Sequence, residues 1–140
     1  MGQKNKKDIK IIIASGPVII ENEKVLLNKH GDDNFWKFPG GRVKDFDFKD
    51  TLNSLEEACR REAKEEMGFY VEIIRPLKPM MVPKPGDPDT QVILIHYLAK
   101  RLGEIKPGSD IKEYKWFNIN NLPKDCAPNI EPVVEDCSEG

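Results

Sequence analysis

The chain has 140 residues, of which 39% are apolar and 33% are charged, a composition typical of one globular domain and not of a disordered or fibrous protein. Its formal net charge of −2 argues against a general nucleic-acid binder, which carries an excess of Lys and Arg. The longest apolar runs, such as Ile11 to Ala14, are too short to cross a membrane or to form the apolar part of a signal peptide.

These properties predict a cytoplasmic protein with neither a nucleic acid nor a membrane as a partner. The basic opening MGQKNKK predicts a flexible N-terminal tail over residues 1–8. The remaining length is that of one domain, and we expect residues 9–136 to form it, as a monomer or a homodimer.

The first predicted elements are strands. Residues 9–20 are rich in β-branched side chains, and Gly16-Pro17 predicts a break or bulge between two strands there. Residues 25–30 complete a hairpin after a short turn. The segment FWKFPGG, residues 35–41, predicts another short strand, and the polar residues 42–53 predict a loop.

The first strong helix signal is SLEEACRREAKEEMG, residues 54–68. Ser54 with Glu57 fits a capping box, and Asn53 with Glu56 fits the same pattern. The two patterns place the start of the helix one residue apart, and both starts stay open. Gly68 stands where a left-handed residue ends a helix.

The second half of the chain predicts more strands and one further helix. FYVEII resumes as a strand, QVILIHYLAK is the longest strand candidate, and KPGDPDT, residues 84–90, predicts an irregular loop between them. A short helical turn and a second helix are expected near Pro128. Strands dominate, the helices are far apart in the sequence, and the pattern indicates an α+β fold.

Three glutamates of the predicted helix, Glu62, Glu65 and Glu66, fall within an arc of about 100° on one face. Other glutamates of this helix have an arginine at spacing i,i+4, whereas Glu62 and Glu66 are a like-charge pair that destabilises a helix slightly. A divalent cation explains the pattern, and carboxylates without His or Cys favour Mg²⁺ or Mn²⁺ over zinc. On this interpretation, Glu66→Gln leaves metal-free stability level or raises it.

The segments PGG at 39–41 and REAKEEMGF at 61–69 resemble the signature of the Nudix hydrolases, whose second half is R-E-U-x-E-E-x-G-U with U apolar. All seven fixed positions of that half match. The first half departs from the family, because Asn53 stands where the family has a glutamate and the loop after Gly41 is longer. Asp45, Asp47 and Asp50 are candidates to substitute for that glutamate.

The resemblance covers nearly the whole chain and implies the family's α/β/α sandwich around a mixed sheet. It implies a Mg²⁺-dependent pyrophosphohydrolase, with Mn²⁺ as an alternative metal, acting on a nucleotide-derived small molecule. The metal ligands implied are Glu65 and Glu66, with Glu62 as a further ligand or water-orienting base and the carbonyl of Gly40 completing the shell.

The resemblance also assigns roles around the metal. Arg61 is expected to orient Glu65 or brace the loop. Glu113, in DIKEYKWF, aligns with a glutamate that some relatives use as a ligand or general base, the alternative being a surface carboxylate. Gly41 and Arg42 are expected to contact substrate, and a solvated loop cation is the alternative for Arg42.

The substrate stays open at this point between ADP-ribose, sugar nucleotides, dinucleoside polyphosphates and oxidised nucleoside triphosphates. A different class of function also stays open: a non-catalytic Nudix-fold module that senses a nucleotide or binds a partner. The missing first glutamate favours the module, and the intact Glu62, Glu65 and Glu66 favour the enzyme.

Overall fold

The computed structural model describes residues 8–49 and 52–139, so the predicted tail lies outside the described residues apart from Asp8. Its strands and helices, in chain order, are β1 (Lys10–Glu21), β2 (Lys24–His30), β3 (Gly41–Arg42), α1 (Ser54–Met67), β4 (Tyr70–Pro76), β5 (Met80–Lys84), β6 (Asp87–Leu102), β7 (Ile111–Asn118) and α2 (Ile130–Glu139). A 3-10 helix, Asp45–Lys49, lies between β3 and α1. In the described part of the chain, neither helix is long and apolar enough to span a membrane.

The described strands form one mixed sheet of seven, in the order β4-β6-β1-β2-β7, with β3 pairing with β1 and β5 pairing with β6. Among the described strands, only β1 and β6 pair in parallel, from Lys10 opposite Thr90 to Ile19 opposite Ala99. The other pairings are antiparallel. This arrangement places the long strands β1 and β6 at the centre of the molecule.

Helix α1 packs on one face of the sheet. Ala63 and Met67 are fully buried there against Ile19 of β1 and Leu26 of β2. The helix ends at Gly68, whose φ of 77° is left-handed and whose N–H donates to the carbonyl of Lys64. The predicted helix and its end are therefore confirmed.

Helix α2 packs on the opposite face. Ile130 and Val133 are buried against Val18, Val25 and Leu27, which alternate along β1 and β2 with the residues that face α1. The two helices therefore enclose the sheet. This confirms the predicted α+β class and the α/β/α sandwich.

The predicted break at Gly16-Pro17 is wrong, since β1 continues through it with Gly16 opposite His96 and Pro17 opposite Tyr97. Glycine is needed here for close approach, because a Cβ on Gly16 would lie 2.0 Å from the carbonyl oxygen of Pro39. Pro17 falls between the β3 and β2 pairings on the other edge of β1. Its missing N–H therefore interrupts neither pairing.

Three further local predictions are corrected. Residues 35–40 hold isolated bridges, Asn28 to Lys37 and Trp36 to Cys126, in place of a strand, and Gly41 begins β3. The predicted loop 42–53 contains the 3-10 helix. The predicted loop 84–90 is the tip of a β5–β6 hairpin, in which Lys84 pairs with Asp87 and Gly86 has a φ of 79°.

Candidate active site

The three glutamates of the sequence pattern lie on the face of α1 next to the loop that follows Pro39. Glu62 is buried, Glu66 is half-buried and Glu65 is exposed. Spacing along the helix places Glu66 one turn beyond Glu62. Their environments differ, since Glu62 and Glu65 accept from the same Arg61 nitrogen, whereas Glu66 accepts from residues outside α1.

Glu66 accepts hydrogen bonds from outside its own helix. Its Oε1 accepts from the backbone N–H of Gly40 at 2.9 Å and from Nδ2 of Asn28 at 3.3 Å. Its Oε2 lies 2.5 Å from Nε2 of His30, which donates, and this bond is the main reason that the pKa of His30 is raised. The negative charge of Glu66, which has no cationic partner on α1, is therefore stabilised by His30 and Asn28 of β2.

The double glycine lets the loop approach the carboxylates. Gly40 has a φ of 154°, and a Cβ there would lie 2.7 Å from the carbonyl oxygen of Ser15. A Cβ on Gly41 would lie 2.5 Å from Oε1 of Glu62. A larger residue at position 41 would therefore crowd Glu62 of α1, and one at position 40 would push the loop away from β1.

Arg61 lies between two of the glutamates. Its Nη1 donates to Glu62 and to Glu65, at 3.1 Å in each case, and its Nη2 donates to the carbonyl of Arg42 at 3.1 Å. These contacts fit the predicted role of Arg61 in orienting Glu65 and bracing the loop.

The same arginine forms a two-point ion pair with Asp47 of the 3-10 helix. Nε donates to Oδ1 at 2.9 Å and Nη2 to Oδ2 at 2.8 Å, and the Asp47 side chain is 4% exposed. Asn53, where the family has a glutamate, occupies the cap position at the start of α1. Of the two described candidates, Asp45 and Asp47, it is thus Asp47 that contacts Arg61, and Asp50 lies outside the described residues.

The site perturbs the ionisation of its members. Burial raises the pKa of Glu62, an effect opposed by the Arg61 guanidinium and reinforced by the charges of Glu66 and Glu65. The hydrogen bond from Arg61 lowers the pKa of Asp47. Burial and adjacent negative charges make the Glu62 carboxyl harder to ionise. A bound cation would stabilise its ionised form.

The donor chemistry fits a hard divalent cation. Three carboxylates lie on one helix face, and Oδ1 of the fully buried Asn28 has no hydrogen-bond partner in the described structure. Among residues 8–49 and 52–139, no three His, Cys, Asp or Glu side chains come close enough together to hold a metal ion by themselves. Mg²⁺ commonly uses only one or two carboxylates together with water and substrate phosphate, so an open set of this kind suits it.

A cavity of about 600 Å³ opens beside the same loop. Its walls include Gly40, Gly41 and Arg42 from the loop. Apolar side chains form much of the remainder, among them Ile12, Phe35, Val82 and Leu94. Such a space, apolar and next to a charged loop, is typical of a small-molecule site.

Two buried polar residues, His96 and Asn129, also line this cavity. Nδ1 of His96 donates to the carbonyl of Gly16 at 3.3 Å, and Nε2 lies 3.2 Å from Nδ2 of Asn129. A carbonyl accepts only, so Nδ1 carries the proton and Nε2 accepts from Asn129. Burial lowers the pKa of His96 to about 4, which matches this neutral form.

Glu113 is not brought to the glutamates of α1. It is exposed on β7 opposite Lys29, one position from the pairing of Tyr114 with Asn28. Alternation from Tyr114 predicts that Glu113 faces away from α1, although the pairing shifts register immediately beyond Glu113, between Lys29 and His30. Its role as a ligand or base stays a prediction.

Arg42 is exposed at the mouth of the cavity, so its contact with substrate also stays a prediction. Asn28 and His30 were missed from the sequence, where His30 showed no motif. The sequence signal for them is the alternation of side chains along β2, which places Asn28 and His30 on the same face of the sheet as Leu26.

Comparison with known proteins finds matches in both sequence and fold. A sequence model of the NUDIX domain matches residues 13–137. The chain is 33% identical over 128 residues to the ADP-ribose pyrophosphatase of Methanocaldococcus jannaschii, across 89% of this chain and 71% of that protein.

The fold is similar to two solved structures. The MutT NUDIX hydrolase from Burkholderia pseudomallei has a TM-score of 0.75 and 22% identity, across 91% of this chain and 98% of that chain. A NUDIX hydrolase from Nitrosomonas europaea has a TM-score of 0.77 and 18% identity, across 94% of this chain and 90% of that chain. At these identities the likeness concerns the fold alone.

Proposed function

Because the chain belongs to the Nudix hydrolase family, we propose that it is a divalent-metal-dependent pyrophosphohydrolase that cleaves the diphosphate linkage of a nucleoside diphosphate derivative. ADP-ribose is the first substrate to test, since the relative from Methanocaldococcus jannaschii is an ADP-ribose pyrophosphatase. The observation that carries the proposal is the joining of two features by one loop: Gly40 and Gly41 contact Glu66 and Glu62 and also line the cavity.

Glu66, Glu65 and Glu62 are the proposed metal ligands, with the carbonyl of Gly40 as a further one and Mg²⁺ or Mn²⁺ as the metal. When bound, the cation neutralises charge on phosphate oxygens and makes a bound water more acidic. Glu62 is also suited to holding a proton, because burial raises its pKa. Water attacks one phosphorus, the bridging P–O bond breaks, and ADP-ribose would give AMP and ribose 5-phosphate.

Other residues of the site are proposed to orient the metal ligands and the substrate. Arg61 holds Glu62 and Glu65 at 3.1 Å each and is itself held by Asp47. Gly41 and Arg42 border the cavity, where we place the substrate phosphates. The cavity's apolar walls suit the nucleoside part of the substrate.

The missing first signature glutamate was the argument for a non-catalytic module. The ion pair of Asp47 with Arg61 weakens that argument, because the bracing is supplied by a different carboxylate. We retain a single domain over residues 9–136, a cytoplasmic location, and a monomer or homodimer without nucleic-acid or membrane partners as predictions.

The test is a substrate panel with Mg²⁺ or Mn²⁺, comprising ADP-ribose, sugar nucleotides, dinucleoside polyphosphates and oxidised nucleoside triphosphates. Phosphate-containing products are separated by chromatography. Glu66→Gln is expected to abolish turnover, and Glu72→Gln, an exposed glutamate on β4, is the matched control. If the protein bound nucleotides but hydrolysed none of these compounds, the proposed enzymatic function would be overturned and the non-catalytic sensing module favoured.

A further inference from the structure

Asn28 and His30 connect β2 to the proposed metal ligand Glu66. They stand two residues apart on one strand, so both face α1. Nδ2 of Asn28 lies 3.3 Å from Oε1 of Glu66, and Nε2 of His30 lies 2.5 Å from Oε2. Each oxygen of the carboxylate thus has its own donor from β2.

Both residues carry a buried polar atom that the described structure leaves without a hydrogen-bond partner, Oδ1 of Asn28 and Nδ1 of His30. The Asn28 side chain is fully buried, where an unsatisfied oxygen costs stability. Rotating the amide by half a turn would turn its oxygen towards the carboxylate of Glu66. The acidic neighbour therefore fixes the orientation of the amide at a cost to the fold.

The geometry leaves acceptor capacity on Glu66. An ionised carboxylate has about four lone-pair positions, and Gly40, Asn28 and His30 supply three donors. The fixed donors hold the carboxylate in one orientation, so the direction of the remaining lone pair is also fixed. A ligand held in this way loses little freedom when it binds a cation.

We propose that Asn28 and His30 are positioning residues that orient Glu66 for a divalent cation and thereby set the affinity of the site for that cation. This inference rests on the proposed function, because it assumes that Glu66 is a metal ligand. Partners that hydrogen-bond to metal ligands typically contribute 10- to 100-fold in metal affinity. A purely structural link between β2 and α1 would instead affect the stability of the fold alone.

The experiment measures Mn²⁺ binding directly, from the electron paramagnetic resonance signal of free Mn²⁺, with no substrate present. We expect His30→Leu and Asn28→Leu each to raise the Kd for Mn²⁺ by about 10- to 100-fold. His30→Gln keeps an N–H donor and should stay within a few-fold of the parent. Lys29→Leu is the control, since Lys29 lies between the two on β2 and contacts Asp125 on the other side.

Thermal melts in chelator separate positioning from structure. Asn28→Leu removes an unsatisfied buried oxygen together with one long hydrogen bond to Glu66, of 3.3 Å, so the two effects should largely offset each other in the melting temperature without metal. If Asn28→Leu, His30→Leu and the control Lys29→Leu all lost melting temperature and Mn²⁺ affinity to a similar extent, the inference would be overturned.

Unchanged Mn²⁺ affinity in both leucine variants would overturn the inference and leave the proposed function standing. Absence of Mn²⁺ binding by the parent protein, both alone and with a non-hydrolysable ADP-ribose analogue, would overturn both, because the proposed metal dependence would fail with it. Loss of affinity in His30→Gln equal to that in His30→Leu would overturn the positioning role, since a retained donor should suffice.

Discussion

Asp47 and Arg61 form a two-point ion pair, Nε to Oδ1 at 2.9 Å and Nη2 to Oδ2 at 2.8 Å, that fastens the 3-10 helix to α1. Planar guanidinium and carboxylate groups match in this geometry, which makes such pairs both strong and directional. Through Arg61 the pair reaches Glu62 and Glu65. The described part of the segment between β3 and α1 therefore helps to position Glu62 and Glu65 through Arg61.

Asp47→Ala should weaken this bracing. We expect activity to fall by about 10- to 100-fold and the free energy of unfolding to fall by about 1.5–3 kcal/mol, as for the loss of a hydrogen bond to a charged group. Asp45→Ala, an exposed neighbour on the same 3-10 helix, should retain both activity and stability. Kinetics and urea unfolding of the two variants provide the comparison.

A second substitution tests the bracing role of Asp47 directly. Asn53→Glu introduces the family's glutamate at the first signature position, and in the Asp47→Ala background we expect it to recover part of the lost activity. The measurement is kcat/KM for the double variant against Asp47→Ala alone. Failure to recover any activity, with the double variant folded, would show that Asp47 does not replace the signature glutamate.

Glu66→Gln separates two explanations of the crowded charges on α1. The helix pattern alone predicts unchanged or increased metal-free stability, but the contacts of Glu66 with Gly40, Asn28 and His30 reverse that expectation. We now expect a loss of about 1 kcal/mol in chelator, because a neutral amide accepts more weakly.

The parent should melt at a higher temperature with Mg²⁺ than with chelator, because a ligand that binds the folded state stabilises it. This rise should disappear in Glu66→Gln. A metal-induced rise of equal size in the variant would argue against Glu66 as a ligand.

The sequence was sufficient for α1 and for the carboxylate cluster because their signals are local. Glu62, Glu65 and Glu66 are brought together by helix geometry, and Gly68 ends the helix through its own φ. The sandwich followed from the family resemblance, and its two apolar faces are confirmed by Ile19 and Val18, adjacent residues packed on opposite sides of the sheet.

The remaining features depend on contacts between distant residues. His30 meets Glu66 across 36 positions, and that meeting depends on how β2 lies beneath α1, which no local pattern encodes. Gly16 looked like a strand breaker, whereas its lack of a side chain admits the carbonyl of Pro39. The tip at Pro85 and Gly86 looked irregular because a two-residue hairpin turn uses the same residue types as a loop.

The activity of a Glu113→Gln variant tests whether Glu113 is the general base. A general base contributes about 10²- to 10⁴-fold in rate, so the hypothesis requires at least the lower loss in Glu113→Gln. The register places Glu113 opposite Lys29, away from α1, and on that ground we expect less than about a tenfold loss. A larger loss, with circular dichroism unchanged, would mean that β7 presents Glu113 to the substrate in the bound state.

His96 should make the fold sensitive to mild acid. Burial lowers its pKa from 6.5 to about 4, so below pH 6.5 the unfolded chain binds a proton that the folded protein excludes. The stability due to the neutral imidazole is therefore complete above pH 6.5 and is lost as the pH falls towards 4. The slope should approach roughly 1 to 1.5 kcal/mol per pH unit across that interval.

His96→Gln keeps a polar side chain beside Gly16 and Asn129 but removes the titrating group. Its stability at pH 7 should be lower, because the ring contact with Phe38 is lost, while its decline between pH 6.5 and 4 should be shallower than that of the parent. Taking the difference between the two proteins at each pH cancels the other titrating groups, including Glu62, whose raised pKa acts in the opposite direction. Urea unfolding at several pH values measures this difference, and parallel declines in parent and variant would show that His96 takes up its proton without unfolding.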